Sequence, residues 1–207
     1  MILYGGLLSP FVMRVVLAAR AKGLSLPVHE PEGGLKSAGF LKLNPIGKMP
    51  TLVDGDFALP ESEIIVQYLD EMHPRPSILP DDPRDRARSR LISRLVDVYV
   101  VPQLAPVFQG KPVDREGFAA ALGYIEHYLS ATGPHALGAD FTLADCALMP
   151  VLFFTDALNA RGHTAELVAG HPKLAAYWDR AKLSETGLRM NREMAAALEA
   201  FMKARAG

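Results

Sequence analysis

The sequence predicts a small α/β domain followed by an all-helical domain. Three observations carry this. Residues 2–72 alternate short apolar strands with amphipathic helices, in the order β-α-β-loop-β-β-α. HPRPSILPDDPRD, residues 73–85, then packs four prolines into a short polar stretch, the composition of a linker. From Asp85 onward only helical periodicity is found. The boundaries drawn from these signals are an N-terminal domain over 1–76, a linker over 77–84 and a helical domain over 85–207.

The elements follow in order. Ile2–Tyr4 is a short apolar strand broken by Gly5 and Gly6. Ser9-Pro10 opens a helix that runs to about Lys22 and stops at Gly23; serine at the N-cap with proline at the first helical position is a favoured start. Leu26–His29 can form a second strand, and PEGGLKSAG reads as loop. Thr51–Val53 and Phe57–Leu59 flank an Asp-Gly turn of the hairpin type. Glu63–Met72 is a helix whose predicted apolar side carries Ile64, Ile65, Tyr68 and Leu69. In the second domain, 85–108 places Leu91, Leu95, Val98 and Pro102 on one face, with a kink at Pro102. A helix over 115–131 buries Phe118, Leu122, Ile125 and Leu129. DFTLADCALMPVLFFTDAL is apolar almost throughout, as a central helix must be, and Thr142 with Asp145 three residues on is a capping box. Helices over 172–181 and 185–202 complete the chain.

Composition excludes several classes. The net charge of −1 gives no footprint for nucleic acid or an anionic membrane. One cysteine allows neither an internal disulfide nor a thiolate metal cluster, and the six histidines show no ligand spacing, so no metal is expected. No apolar run reaches the roughly 18 residues of a membrane span. The N-terminal MILYGGLLSPFVMRVVLAARAKG lacks a charged leader and carries Arg14 and Arg20 within its apolar part, so it reads as strand plus helix and a cytoplasmic protein is expected. Cys146 lies in the central helix as inert core, and Arg86, Arg88, Arg90 and Arg94 form a solvated helix face.

An α/β unit with an X-Pro strand and a hairpin has the pattern of a thioredoxin-like domain. Where that fold usually carries a Cys-x-x-Cys pair this chain reads Ser9-Pro10-Phe11-Val12, which excludes dithiol–disulfide exchange. A hydroxyl at a helix N-terminus remains, in a place that stabilises anions through free N–H groups and the helix dipole. Ser9 can donate a hydrogen bond to a bound thiolate, or it can simply cap its helix. A cis Met49-Pro50 bond would turn the Met49 backbone outward to pair with an extended ligand; an ordinary trans proline at a strand start is the alternative. The Ser62 N–H and hydroxyl suit a carboxylate and Glu61 an ammonium, together an amino-acid head group, unless they only begin a helix. Lys36 and Lys48 can neutralise a second carboxylate or stand as solvated lysines.

SPFVMRVVLAARAKG, NPIGKMPTLVDG, ESEIIVQYLDE and FTLADCAL, in this order and spacing, resemble the cytosolic glutathione transferases over nearly the full chain. The likeness is to the serine-type classes, tau most of all, with some similarity to zeta and bacterial members. The resemblance implies the glutathione transferase fold and glutathione as co-substrate. It implies Ser9 as the thiolate-activating hydroxyl, Met49 backbone pairing with the cysteinyl part beside a cis Pro50, Glu61 and Ser62 on the γ-glutamyl end, and Lys36 and Lys48 on the glycyl carboxylate. It also implies a homodimer. The zeta Ser-Ser-Cys motif is absent and no cysteine stands at Ser9, against a maleylacetoacetate isomerase and against an omega-type reductase. Tyr4 is the runner-up thiolate donor. A small hydrophobic electrophile would sit between the domains, with Phe11, Tyr99 and Gln103 as its expected wall. The expected reaction is conjugation of the thiolate to that electrophile. Glutathione-dependent isomerisation, ether cleavage, peroxide reduction and non-catalytic ligand binding stand as alternatives.

Overall fold

The computed structural model describes residues 1–108, 111–159 and 165–206. The chain divides into two compact units, Met1–Ser77 with Arg189–Gly207, and Ile78–Leu188.

In the first unit the order is β1 (Ile2–Tyr4), α1 (Pro10–Ala21), β2 (Val28–His29), α2 (Ala38–Leu43), β3 (Thr51–Asp54), β4 (Phe57–Pro60) and α3 (Ser62–Met72). The sheet runs β2-β1-β3-β4, with β1 parallel to β2 and antiparallel to β3, and β3 antiparallel to β4. This is the thioredoxin-like arrangement expected from sequence. Leu3 and Leu52, Val12, Val16 and Leu17 of α1, and Ile65, Val66 and Leu69 of α3 form its core. Gly5 is required where β1 passes under α1, because a Cβ there would meet Val12 Cγ2 at 2.4 Å.

Two expectations need correction here. PEGGLKSAG is not all loop: Ser37 caps the short α2, its Oγ accepting from the Phe40 N–H at 3.3 Å, and Phe40 is buried. The glycines hide this turn from a periodicity reading. Ile64 is half-exposed while Val66 is buried, so the core face of α3 is Ser62, Ile65, Val66 and Leu69.

The link out of this unit is fastened by a buried cation. Lys22, at the end of α1, places its Nζ 2.5 Å from Asp70 Oδ1 and donates to the Pro76 carbonyl at 2.7 Å. The Ser77 hydroxyl donates to Asp70 Oδ2 at 2.9 Å.

The second unit holds α4 (Pro83–Leu95), a π-helical segment (Val96–Val100), α5 (Val101–Phe108), α6 (Arg115–Tyr128), α7 (Leu143–Asn159), α8 (Ala165–Ala169), α9 (Pro172–Ala181) and the start of α10 (Glu185–Ala206). Its centre is α7, buried at every residue from Leu143 to Thr155, Cys146 included. Phe118, Leu122 and Ile125 of α6 and Leu174, Tyr177 and Trp178 of α9 are also in the core. The capping box is formed: Asp145 Oδ2 accepts from the Thr142 N–H at 2.9 Å, and Thr142 Oγ1 accepts from the Ala144 N–H at 3.3 Å. Burial pushes the Asp145 carboxyl up, opposed by hydrogen bonds from the Ala136 and Thr142 N–H groups and by His135.

The predicted face of α4 is out of phase. Ser89, Ile92, Ser93, Val96, Val100 and Leu104 are the buried positions, whereas Val98 and Pro102 are exposed. The reason is polar: Ser89 Oγ accepts from the Ala144 N–H at 3.2 Å, so a serine faces α7 where hydrophobic periodicity sees no contact. The backbone irregularity begins at Val96, ahead of Pro102. Of the arginine run, Arg86 instead binds the linker through the Pro80 and Asp81 carbonyls.

Candidate functional site

Strand register gathers the expected site residues of the first unit at one end of its sheet. Tyr4 pairs with Thr51, and Thr51 pairs with Pro60. The segments just beyond these residues are therefore neighbours: the loop leading to Ser9, the Met49-Pro50 turn, and the start of α3 at Glu61-Ser62.

Ser9 is the N-cap of α1, and its Oγ accepts from the Val12 N–H at 3.4 Å. Capping uses the oxygen as acceptor and leaves the hydroxyl proton to donate. The capping role and a thiolate-donor role are therefore compatible. The Gly6 N–H points to Met49 Sδ at 3.5 Å and joins this loop to the next. Tyr4, the alternative donor, lies edge-on against Phe40 at 6.1 Å between ring centroids.

The Met49-Pro50 peptide is cis, as the resemblance implied. The Met49 N–H and C=O have no hydrogen-bond partner among the described residues. The turn before them is held by Asn44, a buried residue that sequence reasoning missed. Its Nδ2 donates to the Lys48 carbonyl and to Thr51 Oγ1, both at 2.8 Å, and its Oδ1 accepts from the Ile46 N–H at 3.0 Å. An asparagine ahead of an X-Pro turn was the available signal.

Lys36 and Lys48 are exposed and flank this turn. Lys36 Nζ donates to the Ile46 carbonyl at 3.3 Å. Gly47 has φ of 62°, and a Cβ there would come within 2.7 Å of Lys36 Nζ, so glycine lets the lysine lie against the backbone before Lys48.

The start of α3, like that of α9, lacks a side-chain cap from its N-cap residue, but at α9 the Glu126 carboxylate takes the Lys173 and Leu174 N–H groups at 3.0 and 2.8 Å. Ser9, Ser37, Asp82 and Asp114 each cap their helices with a side-chain oxygen. Glu61 makes no cap bond and has φ of 68°, the one non-glycine in the left-handed region among the described residues. Ser62 is the first helical residue and only 5% exposed. Beneath it lies Arg14 of α1, 1% exposed, donating from Nη1 to Ser62 Oγ at 3.1 Å. Its guanidinium also stands 5.5 Å from the centroid of the Phe11 ring. A buried cation, a hydroxyl and an uncapped helix N-terminus thus converge, an arrangement that favours a carboxylate. Arg14 was visible in the sequence as a charge inside the apolar run of α1, but nothing there named its partner.

Of the expected electrophile wall, Phe11 belongs to the first unit and is half-buried. Tyr99 and Gln103 belong to the second. Tyr99 is 44% exposed and meets Tyr124 edge-to-face at 5.2 Å. With Leu95, Gly123, His127 and Tyr128 these two tyrosines line a cavity of about 490 Å³. Gln103 Oε1 lies against Gly117 of α6. Among the described residues no three His, Cys, Asp or Glu side chains cluster to hold a metal, and no helix is long and apolar enough to cross a membrane.

Comparison with known proteins identifies the family of both domains. The glutathione S-transferase N-terminal domain matches residues 3–77 and the glutathione S-transferase C-terminal domain matches residues 109–180. Glutathione S-transferase 3 of Zea mays is 34% identical over 199 residues, spanning 86% of each chain. A stringent starvation protein A homolog of Coxiella burnetii is 31% identical over 157 residues, 74% of this chain and 75% of its own. The crystallographic structure of a tau-class glutathione S-transferase from mango, Mangifera indica, is 28% identical with a TM-score of 0.76, covering 98% of this chain and 97% of that one. On sequence, domain order and fold, the chain belongs to the glutathione S-transferase family.

Proposed function

We propose that this protein binds glutathione, ionises its thiol and adds the thiolate to a small hydrophobic electrophile. The observation that carries the proposal is the open N-terminus of α3, with Ser62 over the buried Arg14. The γ-glutamyl carboxylate takes the Ser62 N–H and hydroxyl, and Glu61 takes its ammonium. The cysteinyl unit pairs with the free Met49 N–H and C=O as an added strand. Lys36 and Lys48 neutralise the glycyl carboxylate. Bound in this way, the thiol is directed to the N-terminus of α1, where Ser9 donates to the thiolate. The thiol proton passes to solvent, sulfur forms the new C–S bond, and the electrons leave with the displaced group or settle on the carbon acceptor.

The magnitudes are consistent. Lowering a thiol pKa from about 8.5 by roughly two units needs about 2.7 kcal/mol, and one charge-assisted hydrogen bond contributes about 1.5–3 kcal/mol. The test is the ultraviolet thiolate absorbance of glutathione, titrated with pH in the presence of wild-type protein and of Ser9→Ala. A bound-thiol pKa well below the free value, moving back towards it in the variant, supports the proposal. Absence of bound thiolate near neutral pH overturns the Ser9 mechanism and directs attention to Tyr4→Phe.

The likeness to a protein named for stringent starvation, not for transfer, favours one second reading: glutathione or another ligand is bound without conjugation. Glutathione mass balance during turnover separates the readings. Conjugation consumes it stoichiometrically, isomerisation returns it, and a carrier leaves it unchanged. We further propose that the protein is a homodimer in the cytoplasm, which sedimentation and cell fractionation test.

A further inference from the structure

The eight methionines separate by environment. Met13, Met149, Met190 and Met194 are core residues, and Met1, Met72 and Met202 are exposed. Met49 is neither: it is partly exposed, and the backbone engages its sulfur. The Gly6 N–H donates to Met49 Sδ at 3.5 Å, while the Gly6 carbonyl accepts from the Ser9 N–H at 3.0 Å. Gly6 thus joins the thioether to the turn that presents Ser9 at the start of α1. Packing keeps the two segments close, since a Cβ at Gly5 would stand 3.4 Å from Met49 Cβ. One residue therefore serves both halves of the site. Its main-chain N–H and C=O have no partner among the described residues, and its side chain holds the loop of Ser9.

The thioether is a weak acceptor and the oxidisable atom of this site, because Ser9, Lys36, Lys48, Glu61 and Ser62 carry no sulfur. Oxidation turns it into a sulfoxide, which is polar and chiral. The sulfur is then positively polarised and no longer accepts from the Gly6 N–H. The new oxygen cannot take its place without movement. An N–H···O bond needs about 2.9 Å between nitrogen and oxygen alone, and only 3.5 Å separates the Gly6 nitrogen from sulfur. Either the Gly6 turn and the Met49 main chain move apart, or the Gly6 N–H loses its partner.

We propose that Met49 is a modification site: hydrogen peroxide oxidises its sulfur and thereby weakens glutathione binding, a consequence that rests on the glutathione reading above. A sulfur lone pair attacks one peroxide oxygen. The S–O bond forms as the O–O bond breaks, and a proton passes from the transferred oxygen to the departing one, which leaves as water. Sulfur loses two electrons and the peroxide gains them. Methionine sulfoxide reductases A and B, each acting on one epimer, reverse the modification.

The test treats the full chain with hydrogen peroxide, removes the excess with catalase, maps oxygen addition by peptide mass spectrometry and titrates glutathione calorimetrically. Met49 is expected to gain one oxygen while the buried Met13, Met149, Met190 and Met194 stay reduced. Glutathione affinity is expected to fall about fivefold or more and to return with the two reductases. Hydrogen exchange at the Gly6 amide, followed by nuclear magnetic resonance, is expected to quicken, a readout that needs no glutathione. Met49→Leu keeps the bulk without the oxidisable sulfur. Whatever its starting affinity and Gly6 exchange, peroxide should change neither, although the exposed methionines are oxidised in both proteins. A wild type that fails to bind glutathione before oxidation overturns the glutathione reading, and the Gly6 exchange still judges the Met49 site. Three results would each overturn the proposal: a reduced Met49 after treatment that oxidises Met72 and Met202, a sulfoxide protein with unchanged Gly6 exchange or unchanged glutathione affinity, or an equal loss in Met49→Leu.

Discussion

Arg14→Met tests how the first unit recognises an amino-acid head group. The substitution keeps an unbranched apolar stem in the core of α1 and removes a cation that is 1% exposed. The guanidinium lies 3.1 Å from Ser62 Oγ. A carboxylate hydrogen-bonded to that hydroxyl at a normal O–H···O distance sits about 6 Å from the charge. Coulomb's law at an effective dielectric of about 20 then gives roughly 2.8 kcal/mol, or about a hundredfold in affinity. Because the charge is buried, added salt should screen little of it. Loss of the hydroxyl's donor acts in the same direction. Calorimetric titration with glutathione is expected to show a ten- to hundredfold weaker dissociation constant, with Arg14→Lys retaining part of the loss. The thiol is bound at the other end of the site, so the pKa of bound glutathione should not move. A merely structural arginine would lower stability and leave affinity alone. Affinity within twofold of wild type in a folded Arg14→Met protein would refute the reasoning.

Other expectations follow from the same contacts. Asn44→Ala removes the Nδ2 donor from Thr51 Oγ1 and from the Lys48 carbonyl, which keeps only a 3.4 Å bond from the Thr51 hydroxyl. It should cost about 1–3 kcal/mol in denaturant unfolding and weaken glutathione through the displaced Met49 backbone. Lys22→Met takes the cation from the buried Asp70 carboxylate, which keeps its bond from the Ser77 hydroxyl, and should cost about 3–5 kcal/mol. The double variant Lys22→Met with Asp70→Leu should recover most of that loss, and strict additivity of the two single losses would contradict the pairing. Burial works against the Glu193 carboxylate, yet hydrogen bonds from Arg20 and Arg189 hold its pKa below the usual range. A depressed folded pKa means that its stabilisation is present above the unfolded value, near 4.3, and is lost as pH falls through the folded value. The thermal midpoints of wild type and Glu193→Gln should therefore differ at pH 7 and converge in acid, and a gap that persists at low pH would show that the pair does not titrate as argued.

Where a fold decision is made by neighbouring residues, the sequence was readable. Ser9-Pro10 starts α1, Asp54-Gly55 turns the hairpin, and Thr142 with Asp145 caps α7, each through contacts spanning a few positions. Reading failed where the deciding partner is distant. Ser89 is buried because the Ala144 N–H, 55 residues on, needs an acceptor. Lys22 is buried because Asp70 and Pro76 come to it. α2 escaped because six residues between glycine-rich and proline-containing turns are too few for a helical period to show. The same division runs through the site. Residue types at helix starts and before Pro50 pointed to their chemistry, whereas Arg14 and Asn44, which position those residues, act across 48 positions and through a side-chain network.

One part of the site was written in the local sequence as an omission. Ser9, Ser37, Asp82 and Asp114 cap their helices with residues chosen for that task, and each cap satisfies a backbone N–H that would otherwise seek an anion. Pro60-Glu61 ahead of Ser62 supplies no such cap: Glu61, with φ of 68°, makes no side-chain bond to the helix start. An uncapped helix start costs stability unless something else takes its N–H groups. Beside a buried arginine, the ligand that removes most of that cost is a carboxylate. The fold therefore leaves undone at α3 a task that it completes locally at α1, α2, α4 and α6, and through the Glu126 carboxylate at α9. A capping variant should reverse that economy: Glu61→Asp would gain helix stability if the N-terminus were structural, but it should weaken glutathione if the opening is the binding site. Thermal midpoint and glutathione affinity measured on this one variant, moving in opposite directions, distinguish a helix end kept open for a ligand from one that is merely imperfect.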